Sequence, residues 1–465
     1  MTRTTSFLVA SLVLALAVRA AGEYPAPAPA ENPVTLGVAL QRTMTLLATS
    51  TPEKRNTVKI LFYGQSITGQ GWWKGVLADL ERRFPHADIV CENRALGGFA
   101  SQLLVRTAEY DLYPFYPDLL VFHVYGDHRR YEDIIRRTRE RTTAEILLQT
   151  DHVVADTEDD WTKKMNYTFL PEYARKYGCQ LGRIREAWKR YLNDNALAPS
   201  KLLSDQVHLN AHGEYLMAAL VGQELVHRPE LPNDVWKDLV RTYAVGTDVR
   251  WEGDTLRLPF EGNRVDLIAE KGGGPAAAIA IDGKKPSAFP ECYYHARPSG
   301  TFGVGWPAVK RIAWEKLLVL ETWTLTFANF NDAQDQFDFT LEGSVTGPDG
   351  KGTGKARFVS NSGRVVLEPE DWVFPFCRQV SKKKTPDGFK VTWKVNPLFA
   401  DTYAPPEVAD PAREYATTVV QGIPNAAHTL VVTGKTAIRA IRVYRPPIPA
   451  SEDLRPAPSA EAERR

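Results

Sequence analysis

Ile60–Gln70 reads ILFYGQSITGQ, and this stretch decides the fold. An apolar run, Val58 with Ile60, Leu61 and Phe62, stops at Gly64, and Ser66 follows directly. Thr68 and Gly69 then lead into a mixed segment, Gly71 to Arg83, with the texture of a helix. A strand that ends on a Gly-x-Ser turn before a helix sets the serine hydroxyl at the carboxyl edge of a sheet. Open α/β sheets place their sites there. Serine also caps helices without further purpose, so the reading depends on what lies elsewhere in the chain.

Outward from Ser66 the same grammar repeats. Between Thr57 and about Arg228 the apolar runs VKILFYG, ADIVCEN, PDLLVFHV and AEILLQT alternate with helical candidates. Those candidates are Trp72–Arg83, Gln102–Tyr113, Tyr131–Arg141, Pro171–Lys176, Arg185–Asn193 and Ala211–His227. Alternation of this kind predicts an α/β domain, a parallel sheet covered by helices on both faces. The arginine-rich run RRYEDIIRRTRERTTAE reads as a helix on which Glu and Arg support each other.

Beyond Pro232 the helical period disappears. Short alternating or β-branched runs such as LLVLETWTLTFANF, FKVTWKV and AIRAIRVYRP are punctuated by Gly, Asp, Asn and Pro. That texture predicts an all-β antiparallel sandwich of the jelly-roll kind. The expected division is a signal peptide over 1–21, a Pro/Ala-rich linker and lead-in over 22–50, an α/β domain over 51–230, a β-domain over 231–447 and a disordered tail over 448–465. Arg3, the apolar core Phe7 to Val18 and the small residues Ala20 and Ala21 carry the signal-peptide reading, and with it a secreted or periplasmic location.

Composition narrows the function classes. A chain of 465 residues with 43% hydrophobic and 24% charged residues is of globular type. A net charge of +1, without basic stretches interleaved with aromatics, argues against a nucleic-acid partner. No segment after the first twenty residues is long and apolar enough for stable membrane insertion. The four cysteines show no C-x-x-C metal spacing, no cofactor is implied, and a Cys292–Cys377 bridge is one pairing an oxidising compartment would permit.

Four blocks carry candidate chemistry: Gly64-Gln65-Ser66, Asn93 to Gly98, Val124 to His128, and Ser204 to Asn210. Each stands at a strand exit or a helix entry. A serine nucleophile needs a base, and the base needs an orienting carboxylate. Asp205 and His208, three residues apart, have the spacing for that pair. Asp151 and His152, after the fourth strand, are candidates to line a substrate pocket, together with Gln65 and Trp72, while His123 reads as structural.

The order of these blocks resembles the SGNH/GDSL hydrolase superfamily over about Val58 to Val226, most specifically at GQSIT and DQVHLNAHG. The resemblance implies a three-layer α/β/α domain and a serine esterase. Ser66 would be its nucleophile, His208 the base and Asp205 the orienting acid. The oxyanion donors would be the Ser66 N–H, the Gly98 N–H (Gly97 the close alternative) and a third-block side chain. Gln65 departs from the aspartate of many members, but carbohydrate-esterase branches also read G-Q-S. The implied substrate is therefore an acylated oligo- or polysaccharide, with acetyl as the expected acyl group.

The third block departs further. It reads Tyr125-Gly126-Asp127-His128, without the family's asparagine, so either Asp127 or His128 takes that slot. An ionised carboxylate about 4 Å from an oxyanion costs on the order of 4 kcal/mol at an effective dielectric near 20, which favours His128. The β-rich half is similar to galactose-binding-like jelly rolls appended to bacterial carbohydrate esterases. The segment Pro298 to Thr402 falls outside that likeness, and its tryptophans (Trp306, Trp314, Trp323, Trp372, Trp393) are a candidate sugar platform. The alternatives are a lipase or another esterase of the same fold, or an inactive carbohydrate-binding protein.

Overall fold

The computed structural model describes residues 24–231 and 238–449. The chain forms two compact units. Of the described residues, one holds 24–102, 117–135 and 144–231, and the other holds 103–116, 136–143 and 238–449. The expected signal peptide lies outside the described residues, as does all of the expected tail beyond residue 449.

The first unit is built on a five-stranded parallel sheet of order β2-β1-β3-β4-β5. Its strands are β1 (Thr57–Gly64), β2 (Asp88–Asn93), β3 (Leu119–His123), β4 (Glu145–Gln149) and β5 (Gln180–Gly182). Every residue of β3 and β4 is buried, the pattern of central parallel strands covered on both faces. Edge strand β2 is only half-buried. The chain runs from β1 outward to β2 and then crosses back to β3 on the other side of β1. That reversal opens a crevice at the carboxyl ends of β1 and β3. Gly64 makes the close approach there possible, because a Cβ at this position would lie 2.1 Å from the His123 carbonyl oxygen.

Helices α1 (Gln41–Ala48), α2 (Ser66–Gly69) and α3 (Trp72–Arg83) belong to this unit, with α6 (Asp160–Lys164), α7 (Leu170–Tyr177), α8 (Ile184–Asp194) and α9 (Ala211–Glu224). Between them in sequence come α4 (Ser101–Asp111) and α5 (His128–Arg141), which begin in the first unit and end in the second. The Pro/Ala-rich stretch is packed where a proline-alanine linker is ordinarily extended and free of contacts. Tyr24 stacks on His212 at 4.2 Å, and the Tyr191 hydroxyl donates to the Pro25 carbonyl at 3.0 Å. Proline keeps this segment extended, so its free carbonyls accept side-chain donors along its length. Further on, Leu40, Met44 and Leu47 are buried in the unit's core. Glu145 on β4 caps α1 by accepting from the Arg42 and Thr43 N–H groups at 2.7 and 2.8 Å.

The second unit contains antiparallel curled sheets. One has the order β17-β9-β18-β8-β19-β6, dominated by β8 (Thr255–Ala269) and β18 (Ala416–Thr433). Its other members are β6 (Val240–Ala244), β9 (Ala277–Ile281), β17 (Thr402–Tyr403), β19 (Ile438–Tyr444) and β7 (Trp251–Glu252), which pairs with β8. A second sheet has the order β10-β16-β11-β12-β13, where β10 is Tyr293–His295, β11 Thr322–Ala328, β12 Asp338–Gly343, β13 Gly347–Thr353 and β16 Lys390–Pro397. A third pairs β14 (Phe358–Val359) with β15 (Val366–Leu367). Strands β11, β12, β13 and β16 all come from the segment that the family likeness leaves out. The two larger sheets each have a core: Leu256, Val265, Ile279 and Val432 in the first, Trp323, Phe327, Phe339 and Trp393 in the second.

The sequence-based expectations for this half need correction at two points. Trp306, Trp323, Trp372 and Trp393 are all buried, so they fill the core and form no sugar platform. All four cysteines are free; Cys292 sits in the core of the first sheet, while the Cys377 thiol donates to the Phe302 carbonyl at 3.2 Å. The segments Leu103–Tyr116 and Arg136–Thr143 join this unit through neutral hydrogen bonds, such as Tyr116 to Asn263 at 2.9 Å and Asn263 to the Arg141 carbonyl at 2.8 Å, as well as through charged groups. Arg141 pairs with Glu109 at 2.6 Å, and the Arg264 guanidinium lies between the Tyr116 and Tyr444 rings at 4.8 and 4.7 Å. The arginines of the predicted helix therefore lie on two faces: Arg130 pairs with Asp133 on the exposed side, and Arg137 and Arg141 reach Glu109 on α4.

Candidate active site

Strand β1 delivers Ser66. Gln65 is extended, with φ −110° and ψ −152°, and the one-turn helix α2 begins at the serine itself. The first N–H groups of a helix have no intrahelical acceptor, so the Ser66 N–H is available beside its hydroxyl. Ser66 and Gln65 are both half-buried. Trp72 is corrected here: its indole is buried in the core and its Nε1 donates to the Ile67 carbonyl at 2.6 Å. It braces the Ser66 turn through that bond and has no surface to offer a substrate.

The second block wraps over this turn. Asn93 Nδ2 donates to the Thr68 carbonyl at 2.7 Å, and the Leu96 N–H donates to the Gly64 carbonyl at 2.9 Å. The chain then reverses: the Phe99 N–H reaches the Leu96 carbonyl at 3.0 Å, and Gly98 takes the left-handed φ of 80° that such a turn requires. Gly97, the residue before it, lies against the serine; a Cβ built there would sit 3.6 Å from Ser66 Cβ. Both glycines are exposed.

The third block is laced to the start of α4. The Ser101 N–H donates to the Tyr125 carbonyl at 2.8 Å, and Ser101 Oγ donates to the Asp127 carbonyl at 2.7 Å. Asp127 caps α5: its Oδ1 accepts from the Arg129 and Arg130 N–H groups at 2.8 and 3.2 Å. Desolvation pushes this carboxyl up, but the backbone N–H groups of Arg130 and Arg129 outweigh it and hold the carboxyl below its ordinary range. An ionised acceptor has no proton to give, so Asp127 is not an oxyanion donor. His128 is drawn elsewhere: its ring stacks on Phe169 at 3.9 Å, and its Nδ1 meets the Tyr173 hydroxyl at 2.9 Å. The third-block expectation is thus corrected for Asp127, while His128 keeps Nε2 outside the Tyr173 contact. Trp161, unremarked in the sequence, donates from Nε1 to the Gly126 carbonyl at 3.1 Å.

The fourth block carries the histidine. Asp205 Oδ1 accepts from the Val207 and His208 N–H groups, both at 2.7 Å, and Oδ2 lies 2.8 Å from His208 Nδ1. The His208 and Val207 backbone donors and the His208 ring hold the Asp205 carboxyl down to about 2. The side chains are 40% and 57% exposed for His208 and Asp205, so the pair is open to solvent. With Nδ1 committed to the carboxylate, Nε2 is the nitrogen left to exchange a proton.

Asp151 and His152 are also corrected. Both are buried and held by the protein, which removes them from a substrate surface. Asp151 Oδ1 lies 2.8 Å from His123 Nε2 and its Oδ2 accepts from Asn166 Nδ2 at 2.8 Å. His152 Nε2 donates to the Val207 carbonyl at 2.8 Å. Burial lowers the His152 imidazole to about 4, so it is neutral near pH 7. Sequence reasoning missed Gln70, whose Nε2 donates to the Leu209 carbonyl at 2.9 Å while its Oε1 accepts from the Leu209 N–H at 3.0 Å. Its place at the end of the quoted stretch was the one available signal.

No family model matches the chain, and no curated protein matches it. Solved structures do. The chain is similar to a catalytic mutant of Axe2, an acetylxylan esterase from Geobacillus stearothermophilus, at 18% identity over 38% of this chain and 97% of that one, with a TM-score of 0.34. It is also similar to LAE5, an alpha/beta hydrolase enzyme from the metagenome of Lake Arreo, Spain, at 20% identity over 36% of this chain and 94% of that one, with a TM-score of 0.32. Among the described residues, no helix is long and apolar enough to cross a membrane.

Proposed function

We propose that the first unit is a serine esterase that removes acyl groups, acetyl in the first instance, from carbohydrate outside the cytoplasm. The observation that carries the reading is the Asp205–His208 contact of 2.8 Å, on a loop whose next residue is clamped to the Ser66 turn by Gln70. Ser66 Oγ attacks the ester carbonyl carbon while His208 Nε2 takes its proton. The tetrahedral adduct collapses, the C–O bond to the sugar breaks, and the sugar oxygen receives that proton from His208. Water then repeats the sequence on the acyl-enzyme, releasing the carboxylic acid and restoring the serine.

The oxyanion is met by the Ser66 N–H and a glycine N–H of the Gly97-Gly98 turn. His128 Nε2 is the third-block group left to serve as a further donor, and one donor is typically worth about 3 to 4 kcal/mol. The substrate class rests on the Gly64-Gln65-Ser66 motif, and location on residues 1–21.

Release of acetate from p-nitrophenyl acetate and from acetylated polysaccharides, compared between wild type and Ser66→Ala, tests the proposal. Release by wild type alone supports it. No release by either protein returns the unit to the reading of an inactive carbohydrate-binding relative, which the third block's lack of an asparagine favours.

A further inference from the structure

His208 stands on an exposed loop, where nothing in its own pairing with Asp205 fixes it relative to Ser66. The residues on either side of it are pinned. On one side the Val207 carbonyl accepts from His152, whose side chain is 1% exposed and packs edge-on against Trp188 at 5.6 Å. On the other, both backbone groups of Leu209 are taken by the Gln70 amide, in the manner of a paired strand. Neither anchor is local: Gln70 lies 139 residues from Leu209, and His152 lies 55 from Val207.

Each anchor is itself set by its surroundings. His152 follows Asp151, which holds His123 at the end of β3, and its own carbonyl accepts from Arg185 Nη1 at 2.7 Å. Because Val207 offers only an acceptor, His152 must carry its proton on Nε2; Nδ1 is left buried without a partner among the described residues. A buried ring nitrogen forgoing its hydrogen bond is a cost that the Val207 contact offsets. Gln70 terminates the helix that Ser66 opens, so its clamp sets the distance between the nucleophile turn and the histidine loop.

We propose that Gln70 and His152 are positioning residues that hold His208 in register with Ser66 from both sides. The inference rests on the esterase reading for its kinetic consequence. Catalysis falls steeply when a reacting group is misplaced by about 1 Å, on the order of 10²-fold. Gln70→Ala and His152→Phe should each lower kcat on p-nitrophenyl acetate at least tenfold while KM stays within twofold. His152→Gln keeps a donor for the Val207 carbonyl and should recover part of the loss. The same substitutions introduced into His208→Ala should cost nothing further, because the group they position is gone.

Unchanged kcat in both single variants, or an equal loss in the His208→Ala background, overturns the proposal. A nuclear Overhauser contact between the His208 ring and Ser66 reads the register without any substrate. That signal should be present in wild type and lost in Gln70→Ala and in His152→Phe. If wild type cleaves no ester, the esterase reading fails and the NMR signal alone decides the positioning: persistence in both variants overturns it. A variant that does not fold, judged by its melting transition, is replaced by Gln70→Glu, which keeps the acceptor for Leu209 N–H and loses the donor.

Discussion

Two histidine–carboxylate pairs in the first unit have the same 2.8 Å separation and opposite circumstances. His208 and Asp205 are 40% and 57% exposed; His123 and Asp151 are 4% and 5% exposed. The first pair is three residues apart on one loop, and the second joins the ends of two strands. Distance alone does not distinguish a proton-transfer pair from a buried strut. Access to water does, and of these two pairs only the exposed one has it.

The comparison can be broken most severely at Ser66. Ser66→Ala should lower ester turnover by about 10⁴-fold or more without altering the melting temperature, as measured by p-nitrophenol release and thermal unfolding. Asp205→Asn should cost about 10² to 10⁴ in kcat, again with an unchanged melting temperature. The buried pair should behave in reverse. Asp151→Ala strands the His123 ring and one Asn166 donor and should destabilise the protein by about 3 to 5 kcal/mol in urea denaturation. Equal losses of stability at the two aspartates would dissolve the distinction.

Buried and exposed carboxylates also differ in how they titrate. Glu224, at the C-terminal end of α9, is pushed up to about 7 by desolvation, although it accepts from Gln180 Nε2 at 2.8 Å. Its folded value exceeds the unfolded one, so the folded state binds the extra proton between about 4.5 and 7. Stability from this group is full below the lower value and is lost as pH rises through the upper. Glu224→Gln should remove that fall and exceed wild type by up to ~3 kcal/mol at pH 8, with little difference at pH 4, in denaturant titrations at the two pH values. The smallest effect is expected at Asp127. Asparagine caps helices as well as aspartate, so Asp127→Asn should leave kcat within about twofold and the melting temperature unchanged. A marked rise in kcat would mean that the carboxylate faces the oxyanion.

How much could be read in advance follows the range of each interaction. Strands β1, β3 and β4 were legible because a central parallel strand is apolar on both faces and leaves an unbroken run. Strand β5 was not, because three residues carry no period. The contact between Asp205 and His208 is local, so its spacing was visible; whether either residue acts on Ser66 was not. Asp127 was misassigned because the same residue type serves as a helix cap, and only the Arg129 and Arg130 N–H groups decide between the uses. The tryptophans of Pro298–Thr402 were equally open until Trp323 and Trp393 proved to fill a core.

The sequence by itself determined the alternation of strands and helices, the change to antiparallel β-structure beyond Pro232, and the serine at a strand exit. These are statements about hydrophobic period and turn chemistry, which neighbouring residues settle among themselves. Only the tertiary structure decided that Gly97 lies against Ser66, that Trp72, Asp151 and His152 are buried, and that Gln70 and His152 bracket His208. Those depend on side chains brought together across tens to hundreds of residues by the sheet, and the packing that selects them has no local signature.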